Sequence, residues 1–255
     1  MVTQHRLPSP QLGREVTVRV YRPERAEGRA LPVLYFYDGD VLFRHGAAGF
    51  DLPGYDAAHP GALPLFLAVG IVPPGDRWQR TAELAPFTKA FDTRGADFEP
   101  VVHGRGEALL SWVLDDLKPW VDAQECTVAE DTALGGMSSG ALNAMYGAMR
   151  HGDVFRRLLL HGPAFNLWLS ELLATEGSFE QLRYCYMDIG TEDATRMSAK
   201  EDTMRSALRM RDELLARGMD AAKLNFHVIP GGTHSPATWR ATFPDALRWI
   251  FQDRL

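Results

Sequence analysis

A serine stands at the centre of the pentapeptide Gly136-Met137-Ser138-Ser139-Gly140, which matches the pattern G-x-S-x-G. An apolar segment precedes the pentapeptide and a segment rich in small residues follows it, which is typical of a strand that turns sharply into a helix. Such a turn lifts the serine hydroxyl out of the sheet and points the next backbone N–H toward the same space. The pattern therefore predicts that Ser138 is a nucleophile. Ser139 is disfavoured because Met137, two residues before it, would crowd the turn.

A serine nucleophile needs a histidine base, and the base needs an acidic group that orients it. His234 lies in a glycine-rich segment directly after the last strand-like segment of the chain. Glu192 and Asp193 directly follow another strand-like segment. The resulting order along the chain, serine then acid then histidine, is typical of hydrolases whose serine lies on a strand–turn–helix elbow. We therefore predict a triad of Ser138, His234 and an acid, with Asp193 favoured over Glu192.

An alternation of strands and helices is needed to bring these residues together. Strand-like segments occur at residues 15–21, 32–37, 65–71, 132–134, 158–160, 184–189 and 224–229, and helical segments at 106–123, 141–149, 199–217 and 238–251. Several strand-like segments are apolar at nearly every position, as in parallel strands that helices cover on both faces. The pattern predicts a single α/β domain over residues 1–255. Within it we expect a hairpin-like turn at residues 24–29 and a kink at Pro119.

The composition excludes several classes of protein. The chain has 255 residues, of which 45% are hydrophobic and 24% charged, and its formal net charge is −6. An acidic balance without a basic run argues against a nucleic-acid partner. No apolar stretch reaches the roughly 18–20 residues that cross a bilayer, and the first residues lack the apolar core of a secretion signal. We therefore expect a cytoplasmic protein with no nucleic-acid or membrane partner.

Redox and metal chemistry have little support in the sequence. Cys126 and Cys185 do not form a C-x-x-C pair, and we expect both thiols to be reduced. Histidines and cysteines do not cluster at the spacing of metal ligands. We therefore expect no metal and no organic cofactor. The sequence gives no indication of the oligomeric state.

Several motifs together resemble the esterase family of the α/β-hydrolase superfamily, whose members include enterochelin (siderophore) esterases, S-formylglutathione hydrolases and feruloyl esterase domains. The resemblance covers residues 7–251. It depends on an apolar strand ending in Asp38-Gly39, an R-x-x-E-L segment from Arg80 to Leu84, the elbow at Ser138, Gly190-Thr191-Glu192-Asp193, and a glycine-rich histidine turn at His234 followed by Trp239. These motifs are specific for the family but do not specify a member.

The resemblance implies roles for particular residues. Ser138 would be the nucleophile, His234 the base and Asp193 the acid. The oxyanion hole would consist of the backbone N–H groups of Asp40 and Ser139. Because Asp40 carries a negative charge, its carboxylate would have to point away from the oxyanion.

The resemblance also implies a fold and a reaction. The fold would be an α/β-hydrolase with a mostly parallel central sheet, helices on both faces and no large cap domain, since residues 161–183 hold only a short helix and a loop. The reaction would be hydrolysis of a small-molecule carboxylic ester through an acyl-enzyme. The R-x-x-E-L segment favours a siderophore trilactone or another bulky ester. An acyltransferase that uses the same acyl-enzyme and a catalytically silent binding protein are the alternatives.

Three further residues are candidates for contact with the substrate. Arg80 follows a predicted central strand at the ligand-binding edge of the sheet, where it could bind an anionic part of the substrate or form an ion pair with Glu83. His161 follows another strand, and we expect it to line the wall of the cleft. Trp239 is expected to pack on the histidine turn and to touch the substrate. Asp38 is expected to hold its own turn by side-chain hydrogen bonds.

Overall fold

The computed structural model of the protein describes residues 1–91, 101–195 and 199–254. The strands are β1 (Val2–Ser9), β2 (Arg14–Tyr21), β3 (Leu31–Tyr37), β4 (Leu67–Ile71), β5 (Lys89–Ala90), β6 (Val101–Val102), β7 (Thr127–Met137), β8 (Phe155–His161), β9 (Tyr184–Glu192) and β10 (Leu224–Thr233). The helices are α1 (Leu52–Ala58), α2 (Arg77–Leu84), α3 (Gly106–Trp112), α4 (Lys118–Gln124), α5 (Ser139–Arg150), α6 (Leu169–Ala174), α7 (Lys200–Ala216) and α8 (Pro236–Ile250).

The main sheet has eight strands in the order β1-β2-β4-β3-β7-β8-β9-β10. The pairs β1–β2 and β2–β4 are antiparallel, and every pair from β4–β3 to β9–β10 is parallel. The short strands β5 and β6 form a separate antiparallel pair. The sheet is thus mostly parallel, as the α/β-hydrolase resemblance implies. Because parallel strands end at the same edge, the loops after β3, β7, β9 and β10 converge there.

Helices cover both faces of this sheet, and β3 shows why its sequence is apolar throughout. All seven residues of β3 are buried. Val33 and Tyr35 belong to the hydrophobic cluster that includes residues of α3, α5 and α7. Leu34 and Phe36 belong to the cluster on the opposite face, which includes residues of α1 and α8. Successive side chains of a strand point to opposite faces, so a strand between two layers of helices must be apolar at every position.

The predicted hairpin at residues 24–29 is wrong. Glu24–Ala26 forms a single 3-10 turn, and β2 lies next to β1 and β4 rather than next to β3. The fully apolar β3 requires a central place in the sheet, whereas β2 alternates between buried and partly exposed residues. Turn residues show where a chain changes direction, but they do not show which strands become neighbours.

The predicted helix at residues 106–123 is present, with an irregularity in a different place. A π turn at Val113–Leu117 separates α3 from α4. Pro119 lies directly after this π turn, in the first turn of α4, and the helical backbone runs from α3 through the π turn into α4. The irregularity therefore precedes the proline instead of following it.

Two further features concern helices. The helix predicted at residues 199–217 corresponds to α7, and Gly218 follows it with a φ of +99°, as expected for a residue that ends a helix. Within the described segments, none of the helices combines the length and the apolar character that crossing a bilayer requires.

Candidate active site

The junction between β7 and α5 is a sharp turn centred on Ser138. Ser138 has a φ of +55° and a ψ of −120°, a backbone conformation that residues with a side chain rarely adopt. Two hydrogen bonds hold it there: its N–H donates to the carbonyl of His161 at 2.9 Å, and its own carbonyl accepts from the N–H of Ala164 at 3.1 Å. The surrounding backbone therefore fixes the serine in a strained conformation, as predicted for a nucleophile elbow.

The two glycines of the motif are needed because the backbone approaches itself closely. A Cβ atom at Gly136 would lie 2.5 Å from the carbonyl carbon of Gly140. A Cβ atom at Gly140 would lie 3.0 Å from the Cβ of Tyr37 at the end of β3. A side chain at Gly136 would overlap the backbone and push α5 away from the strand. The glycines are thus a steric requirement of the turn.

Ser138, His234 and Asp193 form a continuous chain of hydrogen bonds. The Nε2 atom of His234 lies 2.9 Å from the Oγ of Ser138, and its Nδ1 atom lies 2.8 Å from Oδ1 of Asp193. A carboxylate accepts hydrogen bonds, so Nδ1 carries the proton and Nε2 is free to accept the serine proton. Asp193 is fully buried, whereas Ser138 and His234 are partly exposed. The site therefore opens to solvent at the serine end.

Glu192, the alternative acid, points elsewhere. Its side chain is 50% exposed and forms an ion pair with Lys200 at 2.8 Å. The last residues of β9 and β10 are also joined directly, since the N–H of Gly231 donates to the hydroxyl of Thr191 at 2.8 Å. Of the two candidate acids, the structure brings only Asp193 to His234.

The backbone N–H groups of Asp40 and Ser139 each lie in the first turn of a helix. Ser139 is the first residue of α5, and Asp40 is the second residue of the 3-10 helix Gly39–Phe43. The N–H groups in a first turn have no carbonyl acceptor within their own helix, so they can bind another acceptor. The N–H of Asp40 makes a hydrogen bond to its own carboxylate. Gly39 allows this loop to lie against β4, because a Cβ atom there would be 2.1 Å from the Cα of Gly70.

The carboxylate of Asp40 contacts the guanidinium of Arg44. Burial raises the pKa of Asp40 above its ordinary value, and the positive charge of Arg44 opposes this effect without cancelling it. The loop that carries one of the two predicted oxyanion donors thus also carries a carboxyl group whose charged form is disfavoured.

Arg80 forms a bidentate ion pair with Asp38. Its Nε and Nη2 atoms each lie 2.5 Å from a carboxylate oxygen of Asp38, which is 3% exposed.

The predicted pairing of Arg80 with Glu83 is wrong, because Glu83 instead accepts from Arg14 at 2.8 and 2.5 Å. Asp38 makes no side-chain hydrogen bond that caps its own turn, so that expectation is wrong as well. A guanidinium from α2 fixes the start of the loop that carries Asp40.

His161 and Trp239, the two other residues predicted to contact the substrate, are both buried. His161 is fully buried, because β8 continues through this residue and turns its side chain into the protein. Trp239 is 2% exposed, and its ring lies edge-on to His234 with the centroids 5.0 Å apart. Trp239 therefore packs on His234, in agreement with the prediction that it packs on the histidine turn.

Two polar residues next to the site, Asp188 and Thr242, are not among the residues predicted from the sequence. Asp188 is fully buried within β9 and accepts a hydrogen bond from the hydroxyl of Thr242 at 2.7 Å. A charged residue inside the otherwise apolar segment 184–189 is a signal that could have identified it, since a buried carboxylate needs hydrogen-bond donors.

A cavity of about 660 Å³ lies between α1 and α8 and is lined by residues that include Phe50, Tyr55, Arg240 and Arg248. Ser138, Asp193 and His234 do not line it. These three side chains instead lie at the carboxyl edge of the parallel strands, and nothing among the described residues forms a large cap over them.

Solved structures with the same fold include several hydrolases. The enterobactin esterase FES from Shigella flexneri, solved in the presence of enterobactin, superposes with a TM-score of 0.77 at 18% identity, covering 100% of this chain and 60% of that one. An IroE-like serine hydrolase from Shewanella oneidensis gives a TM-score of 0.80 at 21% identity, covering 99% of this chain and 81% of that one. The BES protein from Bacillus cereus gives 0.74 at 17% identity, covering 98% and 94% of the two chains.

At these identities the likeness concerns the fold, and the chain spans only about 60% of the length of the Shigella flexneri esterase. Among curated proteins, none matches this sequence. The family evidence comes from the sequence itself, because residues 9–250 match the family model described as "Putative esterase". The chain therefore belongs to this family of esterases, and its fold is that of an α/β-hydrolase.

Proposed function

We propose that the protein is a serine carboxylic-ester hydrolase in which Ser138 is the nucleophile, His234 the base and Asp193 the acid that orients it. The observation that carries the proposal is the hydrogen-bonded chain from Asp193 through His234 to Ser138, with distances of 2.8 and 2.9 Å. The strained backbone of Ser138 supports it, because such strain concentrates at functional sites. Membership of the esterase family supports an ester as the bond that is broken.

In the first half of the proposed reaction, Nε2 of His234 takes the hydroxyl proton while Oγ of Ser138 bonds to the ester carbonyl carbon. The carbonyl π electrons move onto the oxygen, and the N–H groups of Asp40 and Ser139 stabilise the negative charge. The oxyanion then collapses and the bond to the leaving alcohol breaks. The imidazolium of His234 protonates that alcohol, which leaves an ester between the acyl group and Ser138.

The second half repeats the same steps with water. His234 removes a proton from a water molecule as its oxygen attacks the acyl carbon, and the oxyanion forms again at the same N–H groups. The bond between the acyl carbon and Oγ breaks, and His234 returns the proton to Ser138. The buried carboxylate of Asp193 stabilises the imidazolium in both halves. Protons balance over the cycle, and the products are an acid and an alcohol.

For the substrate we propose a bulky ester, with cyclic catecholate trilactones as the class to test first. The R-x-x-E-L segment at Arg80 and the fold shared with an enterobactin esterase support this choice. The partial exposure of Ser138 and His234 supports it too, because a large ring can approach an open serine.

The experiment is a steady-state comparison on an ester panel of p-nitrophenyl acetate, a feruloyl ester, and linear and cyclic catecholate trilactones. We expect the wild type to hydrolyse at least one class and Ser138→Ala to hydrolyse none of them. Ser170→Ala, which removes an exposed serine hydroxyl in α6, is the matched control and should retain full activity. Equal turnover by Ser138→Ala and the wild type would overturn the proposed mechanism, and activity on simple esters alone would overturn the proposed substrate.

A further inference from the structure

A second histidine–carboxylate pair lies inside the protein, beneath the proposed catalytic residues. The Nδ1–H of His161 donates to Oδ2 of Asp188 at 2.7 Å, and the hydroxyl of Thr242 donates to the same oxygen at 2.7 Å. The N–H of Gly162 is shared between the other carboxylate oxygen, Oδ1, at 3.2 Å and the main-chain carbonyl of Asp188 at 3.1 Å. The side chains of His161 and Asp188 are fully buried. One carboxylate thus joins β8, β9 and α8.

The β8 side of this network reaches the nucleophile. The carbonyl of His161 accepts the N–H of Ser138 at 2.9 Å. The side chain of His161 is held by Asp188, and so is the N–H of the next residue, Gly162. The peptide bond between His161 and Gly162 supplies the carbonyl that fixes the backbone of the elbow. Asp188 is hydrogen-bonded to both residues of this peptide, to the side chain of His161 and to the N–H of Gly162.

The α8 side of the network reaches the base. Thr242 lies in α8, which begins at Pro236, directly after the loop that carries His234. One turn before Thr242, Trp239 packs edge-on against the ring of His234 and lies so close to Gly162 that a Cβ atom there would be 2.6 Å from the indole. The hydroxyl of Thr242 therefore links α8 to Asp188 of β9, one helical turn from the tryptophan that packs on His234.

We propose that Asp188 is a positioning residue that holds Ser138 and His234 at their reactive separation, through His161 and Gly162 on one side and Thr242 on the other. This inference rests on the proposed function. A buried carboxylate is unfavourable unless donors surround it. Beside Tyr186 of β9, the donors to Asp188 are His161, Gly162 and Thr242, which belong to the elements next to the nucleophile and the base. A misplacement of about 1 Å between reacting groups lowers a rate by about 100-fold. A residue that fixes the spacing between the elements of Ser138 and His234 therefore affects kcat.

Thr242→Val is the principal test because it removes one donor and keeps the shape of the side chain. We expect kcat on p-nitrophenyl acetate to fall by about 3- to 10-fold with KM unchanged, since Thr242 is not part of the open edge where an ester would bind. Thr242→Ser keeps the hydroxyl and should restore kcat to within about twofold of the wild type. Asp188→Asn, which turns an acceptor into a donor beside two N–H groups, should lower kcat further, by about 10- to 100-fold.

Thr132→Val is the matched control. Thr132 is a buried threonine whose hydroxyl donates to the carbonyl of Ala129 at 3.2 Å, toward the other end of β7 from Ser138. We expect it to lower the melting temperature about as much as Thr242→Val while kcat stays at the wild-type value. A wild-type kcat in Thr242→Val, or an equal loss of kcat in Thr242→Ser, would overturn the inference.

The rate of labelling by a fluorophosphonate probe separates failure of this inference from failure of the proposed function. If the wild type is not labelled at Ser138, the proposed function fails and the positioning role fails with it. If the wild type is labelled at Ser138 and Thr242→Val is labelled at the same rate, only the positioning role is overturned. A slower rate in Thr242→Val that Thr242→Ser restores supports it.

Discussion

At the scale of single residues, the choice between two adjacent carboxylates is the sharpest question about this site. We expect Asp193→Asn to lower kcat by about 100- to 10,000-fold, because the amide can present an N–H to Nδ1 and favour the wrong tautomer of His234. Glu192→Gln should leave kcat unchanged, since Glu192 is half exposed and pairs with Lys200. Steady-state hydrolysis of p-nitrophenyl acetate by both variants distinguishes the two acids. A large loss in Glu192→Gln together with an active Asp193→Asn would reverse the assignment.

Asp40 gives a prediction about pH, because burial raises its pKa from an ordinary value of 3.8, with Arg44 opposing the shift. A carboxyl group with a raised pKa in the folded state stabilises the fold at low pH and loses that contribution as the pH rises through the folded-state pKa. Asp40→Asn removes this dependence. Its free energy of unfolding relative to the wild type should therefore increase between pH 4 and pH 7.

Urea denaturation of the wild type and Asp40→Asn at several pH values measures this difference. Glu15→Gln, a change of the same kind at the exposed Glu15 in β2, serves as the control. A difference between Asp40→Asn and the wild type that stays constant, or that shrinks as the pH rises, would contradict the raised pKa of Asp40.

At the scale of secondary-structure elements, two arginine–carboxylate pairs next to each other allow a matched comparison. Arg80 binds Asp38 at the start of the oxyanion loop, whereas Arg14 of β2 binds Glu83 of α2. In each pair the carboxylate is nearly buried and the arginine is partly exposed. Replacing either arginine by glutamine should lower the free energy of unfolding by about 1–3 kcal/mol, since each leaves a carboxylate poorly paired.

The two replacements should differ in their effect on catalysis. Arg80→Gln should lower kcat by about tenfold or more, because it releases the loop that presents the N–H of Asp40. Arg14→Gln should retain kcat at temperatures where the protein stays folded. Thermal melts and steady-state kinetics on both variants measure the two effects, and an equal fall in kcat would show that the loop does not depend on Arg80.

The elements that the sequence predicts well are those whose pattern reflects their final surroundings. The run at residues 32–37 is apolar throughout because both faces of β3 are buried, so its central place in the sheet could be inferred. The edge strand β1 alternates exposed and half-buried residues with little apolar content, and α1 spans only seven residues with a proline in its first turn. Such short or polar elements are fixed by tertiary contacts, and their local pattern is weak.

The residues of the candidate site also fall into those that a local sequence pattern predicts and those that tertiary contacts fix. Ser138, Asp193 and His234 could be inferred because each follows a strand at the same edge of the sheet. The orientations of His161 and Trp239 could not, because they depend on how far β8 extends and on how α8 seats against it. Partners far apart in the sequence, such as Asp188 and Thr242, become visible only when the sheet and α8 are in place.

At the scale of the whole molecule, the continuous sheet makes a prediction about cooperativity. Eight strands, from β1 near the start of the chain to β10 near its end, share one sheet that leaves out β5 and β6. The two hydrophobic clusters on its faces draw residues from both halves of the chain. We therefore expect residues 1–255 to unfold as a single domain in one transition, with the same midpoint by circular dichroism and by tryptophan fluorescence. Two separate transitions would contradict the single-domain prediction.

The central claim about the molecule is that Ser138 is its nucleophile. Mass spectrometry of the protein after reaction with a fluorophosphonate probe tests it most directly. We predict one adduct per chain in the wild type, on the peptide that contains Ser138, and none in Ser138→Ala. An adduct on another residue, or an undiminished adduct in Ser138→Ala, would contradict the claim.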